Sequence, residues 1–253
     1  MMNLIRSEVL KIRSTQVWFW MLLLAAAFTT LGSIGQVVTA INDHDNGDPV
    51  DYYAVFTQSA GAGIALLVLG LLGLTTEFRH KTITPTLLAT PNRWQLLAGK
   101  AASYVVFAIG YSLICVVLNF AIAIIWLSSV DVPVEFGHGV PGGVAKAFVT
   151  LVLTGIFGLG LGAVIRNQAA AMVLGIVYFF ILDPVLNYTP GIRKGYAYTP
   201  AGGVKAFLAH GDIDNMPGDV HLLAPAAGLL LFLAWSLALL VIGGRLTLSR
   251  DIS

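Results

Sequence analysis

Apolar residues run along this chain in six stretches of about 20, each long enough to cross a bilayer as a helix and each set off by polar connections. The stretches cover residues 17–40, 55–75, 97–127, 144–165, 169–186 and 222–244. Helices are predicted, because backbone groups in hydrocarbon must be hydrogen-bonded within their own segment and the alternating pattern of a membrane barrel is absent. Ahead of the first stretch, residues 2–16 carry Met2, Ile5, Val9 and Ile12 at a helical spacing, with Asn3, Ser7 and Lys11 opposite and Arg6 and Arg13 at a flank. That pattern predicts an amphipathic helix in the membrane interface, with Trp18 and Trp20 marking the water boundary of the first span. The predicted fold class is all-α and integral to the membrane: six transmembrane helices behind an interfacial helix, forming one transmembrane domain over residues 1–253.

The pattern breaks where EFRHKTITPTLLATPNRWQLLAGK, Glu77 to Lys100, interrupts two long apolar runs. Arg79, His80 and Lys81 form a basic cluster, and the stretch that follows reads as a short helix along the membrane surface. Thr84 is its candidate cap, and Pro85 suits its first turn, where a missing amide hydrogen costs little. Leu87 and Leu88 are expected to face the bundle, leaving Glu77, Phe78 and threonines such as Thr82 available to a partner. A solvated basic loop would explain the charges, but not Phe78 or the leucines. Residues 77–96 are therefore read as a docking segment.

Composition agrees with the membrane assignment: 57% of the residues are hydrophobic, 11% are charged and the mean hydropathy is +0.83, where soluble domains carry about 25% charged residues. A formal net charge of +1 points to no nucleic-acid partner, so the placement of the charges is what matters. With the N-terminus inside, ten of the fourteen basic residues fall on the inner side, leaving Lys146, Arg193, Lys194 and Lys205 outside. Both termini and the docking segment are expected in the cytoplasm, at a plasma (inner) membrane, with residues 187–221 as the longest outer segment. The lone Cys115 lies in an apolar run and reads as a small buried hydrophobe. In the fourth span, Gly155, Gly158, Gly160 and Gly162 offer a face that another helix could approach closely.

Chemistry is notable for what the chain lacks. Gly99-Lys100 resembles the end of a phosphate-binding loop, but Trp94 stands where the first glycine belongs and Ala101 where Ser or Thr is needed. No nucleotide site, catalytic set or metal-ligand set is expected, and the histidines all fall in connections. Asp183, before Pro184, reads as a helix-end residue near the interface. Thr30, Gln58, Tyr111 and Asn119 are mid-span polar residues that could line a substrate path, although such residues are more often helix-to-helix hydrogen bonds.

In its order of segments, and above all in the elements E-F-R-x-x-T, L-L-x-x-P and R-x-x-L-L-x-x-K that follow one another from Glu77 to Lys100, the chain resembles the permease subunits of type-2 ABC transporters. Lys81 and Pro85 depart from what relatives usually carry. The resemblance implies a coupling helix around residues 82–90 seated in a groove of a separate ATPase, with Glu77, Phe78, Arg79, Thr82, Thr84, Leu87 and Leu88 at the docking surface. It implies two ATPase subunits that bind ATP and magnesium, a second permease copy or close paralogue, no cofactor in this chain, and export as the direction. A non-transporting immunity or scaffold protein and an ion-coupled carrier are the alternatives.

Overall fold

The computed structural model describes residues 2–80, 93–137, 139–189, 192–210 and 221–248. All regular structure among them is helical, and six helices are long and apolar enough to cross a membrane. A separate helix, α1 (Met2–Ser14), precedes the first span, α2 (Val17–Asn46), which ends on Gly47 with φ 77°, a left-handed cap that glycine adopts without strain. The second span is broken: α3 (Tyr52–Thr57), a 3-10 turn (Gln58–Ala62) and α4 (Gly63–Arg79). The third is α5 (Arg93–Ser129) and the fourth α6 (Val140–Val164). The fifth consists of α7 (Gln168–Val177), a π turn (Tyr178–Leu182) and α8 (Asp183–Tyr188). A 3-10 turn (Arg193–Tyr198) and α9 (Pro200–Leu208) lead to the last span, α10 (Pro225–Leu248). The helices run past most of the predicted spans, and α9 lies within residues 187–221.

The second and fourth spans make the centre: 67% of each hydropathy window is buried, against 11–28% in the other four. Glycine permits that pairing. A Cβ on Gly158 would stand 2.2 Å from the Leu67 carbonyl oxygen, and one on Gly70 2.1 Å from that of Gly155, so the two backbones meet directly. Gly160 points the other way, where its Cβ would lie 2.8 Å from Cβ of Leu239 on α10. The glycines expected to form one close face thus serve two neighbouring helices.

Polar side chains close the break in the second span. Asn119 on α5 donates to the carbonyls of Val55 and Phe56 at 3.1 and 3.0 Å, and accepts from Ser33 on α2, all fully buried. An amide at that point satisfies carbonyls beside the helix break, as a membrane interior requires. At one end of the bundle, Asp183 accepts from Tyr196 at 2.7 Å and pairs with Lys205 at 3.5 Å, which ties the segment that follows the fifth span back to it. Asp183 lies inside the fifth helical stretch, where the π turn passes into α8, rather than at its end.

Candidate functional site

The other end of the bundle gathers α1, the last turn of α4 and the start of α5 around four charged side chains. Lys100 reaches Glu8 and Glu77, each at 2.7 Å, and Lys11 reaches the same two carboxylates at 2.7 and 3.3 Å. Lys100 is 1% exposed, Glu8 3% and Glu77 9%, while Lys11 is 49% exposed and leads the cluster out to the surface. Two cations and two anions leave the group neutral, and this balance makes its burial tolerable.

Each member is placed by its helix. Glu8 and Lys11 stand one turn apart on α1, beside Ile12, which packs into the core. Glu77 lies in the last turn of α4, where the helix dipole disfavours a carboxylate, and the two lysines offset that. One turn beyond Lys100, the Tyr104 ring closes the cluster from the core side. It fits only because residue 73 is glycine, whose Cβ would stand 2.4 Å from Cζ of the ring. A cavity of about 470 Å³ opens beside the group, lined by all four charged residues and Tyr104. Oε2 of Glu77 is buried there without a hydrogen-bond partner among the described residues.

Burial by itself would raise the Glu8 carboxyl, but the charge and hydrogen bond of Lys100, with those of Lys11, outweigh it and hold Glu8 below its usual range. Burial would likewise lower the Lys11 ammonium, and Glu8 first, then Glu77, raise it instead. The cluster therefore holds both groups charged and locks α1 onto the two helices that flank residues 81–92.

The expected docking residues are distributed differently from the sequence reading. The exposure expected of Glu77 is corrected: its carboxylate turns inward to Lys100 and Lys11, because a buried ammonium on α5 needs a partner at that depth. Phe78 is half-buried against the core and lies under the Arg166 guanidinium, 5.7 Å from its ring centre. Arg79 is exposed and donates to Gln168 on α7 at 3.2 Å. Thr82, Thr84, Leu87 and Leu88 lie outside the described residues.

Two of the four mid-span polar residues, Asn119 and Tyr111, bond other helices in this structure. Asn119 is committed to Ser33 and the Val55 and Phe56 carbonyls, and the buried Tyr111 hydroxyl donates to the Trp18 carbonyl. Gln58 fills the notch at Gly32, where a Cβ would stand 2.2 Å from its Nε2, and Thr30 is half-buried on α2. Sequence reasoning missed Glu8 and the inward role of Lys100. The signal was present: Glu8 falls between Ile5, Val9 and Ile12 on the apolar side of α1, where a carboxylate needs a buried partner. The chain matches no protein-family model and no curated protein.

Proposed function

We propose that this chain is the membrane-spanning permease subunit of a type-2 ABC exporter, working as a dimer and driven by separate ATPase subunits at the cytoplasmic side. The observation that carries this reading is the buried cluster at Glu8, Lys11, Glu77 and Lys100. It ties both flanks of residues 81–92 to each other and to α1, so force applied to that segment would pass to the second and third spans together. The E-F-R and L-L-x-x-K elements of the resemblance frame the same segment, and Lys100 and Glu77, its two ends, are bonded to one another. In this reading Phe78 meets the ATPase, while Glu77 positions the segment from within.

Co-expression with an ABC ATPase from the same gene neighbourhood tests the proposal. The two chains should co-purify, and reconstituted vesicles should move substrate only with ATP. Phe78→Ala should weaken co-purification without preventing membrane insertion. Transport by this chain alone, driven by an ion gradient, would overturn the reading, as would a failure of the two chains to associate.

A further inference from the structure

A second cavity, of about 690 Å³, lies beside the end of α4, against the turn that joins α6 to α7. Its walls include Phe78, Arg79, Arg166, Asn167, Gln168 and Met172, and none of the described residues that line it is a carboxylate. Arg166 sits at the break between the two helices with φ 23°, and is held in place by donating to the Leu246 carbonyl of α10 and by lying over the Phe78 ring. Arg79 enters from the other wall, steadied by Gln168. Each guanidinium has five N–H donors, and the protein acceptors just named take one from each. Among the described residues, the cavity therefore presents two positive charges with donors to spare.

Its other end is apolar. Met172 stands one turn into α7 and is followed by Val173 and Leu174, 59% and 52% exposed, with Ile176 at 40% and Phe180 at 58% further along the span. A positively charged mouth thus opens onto an uncovered apolar face that runs into the bilayer. A soluble anion would satisfy the arginines and leave that face bare, whereas a lipid would cover both. A choline or ethanolamine headgroup would bring an ammonium that none of the described lining residues could pair. We propose that this cavity binds the phosphodiester of an anionic phospholipid, with Arg79 and Arg166 on the phosphate oxygens and the acyl chains along the exposed face of α7.

Native mass spectrometry of the full chain, purified in detergent and given equimolar phosphatidylglycerol and phosphatidylcholine, tests the assignment. Phosphatidylglycerol should be retained severalfold over phosphatidylcholine. Arg79→Gln should bring the ratio close to one, while Lys194→Gln, which removes an exposed charge outside the spans, should leave it unchanged. Arg166→Gln should act in the same direction, but Arg166 also braces α10, so Arg79→Gln decides the matter. Thermal unfolding with each lipid and with inorganic phosphate separates the sources: only phosphatidylglycerol should stabilise the protein. Equal retention of the two lipids, an unchanged ratio in Arg79→Gln, or the same stabilisation by inorganic phosphate would each overturn the proposal.

Discussion

Lys100 shows how much one side chain can hold together. Its ammonium bonds two carboxylates on two other helices, at sequence separations of 92 and 23 residues, from a position 1% exposed. Lys11 touches the same carboxylates from a position half in solvent. Removing a buried partner strands the opposite charges, whereas removing an exposed one leaves them paired. Lys100→Met should therefore cost about 3–5 kcal/mol, the range for breaking a buried pair by deleting one member. Lys11→Met should cost no more than about 1 kcal/mol. Thermal unfolding of both variants in the same detergent checks the ordering, and equal losses would contradict it. Lys100 was visible in the sequence only as the end of a motif, because its two partners come from separate helices.

Among the elements, the pairing of α4 with α6 depends on glycine in a way that can be tested position by position. A methyl group at Gly158 would meet the Leu67 carbonyl, a backbone atom that cannot swing aside, whereas one at Gly110 on α5 would meet nothing within 4 Å. Gly158→Ala should destabilise the protein by about 1–3 kcal/mol through overpacking. Gly110→Ala should be neutral or slightly stabilising, since alanine is the better helix former. Unfolding midpoints of the two variants give the comparison. The glycine-rich face of the fourth span was legible in the sequence, but its division between α4 and α10 was not, since hydropathy alone does not say which neighbour a face meets. The break in the second span was also hidden: residues 58–62 sit inside a stretch apolar enough overall to read as one span, and Asn119, from another span, marks where the carbonyls need help.

For the whole molecule, the attachment of α1 to the bundle is the contact most open to pH, because charge makes much of it. Glu8 is held below its usual value, so its contribution is present above the ordinary carboxyl value of 4.5 and is lost as pH falls through its lower value in the folded protein. Lys11 is raised, so its contribution is present below 10.5 and is lost as pH rises through its higher folded value. Docking of α1 should hold steady between those limits and give way on acidification below about 4.5. A fluorophore on Ser14→Cys, selective because Cys115 is buried, would report the release as a fall in anisotropy. A signal that falls only with unfolding of the whole bundle would show that apolar packing, such as that of Ile12, carries α1 by itself. Hydropathy and length set the six spans, the interfacial helix and the polar break at Glu77, because those properties belong to contiguous residues and the bilayer reads them segment by segment. The burial of Glu77, its bond to Lys100 and Glu8, the choice of helix each glycine meets and the joining of Arg79 and Arg166 around one cavity arose only in the folded bundle, because they bring together residues from different helices that no local pattern connects.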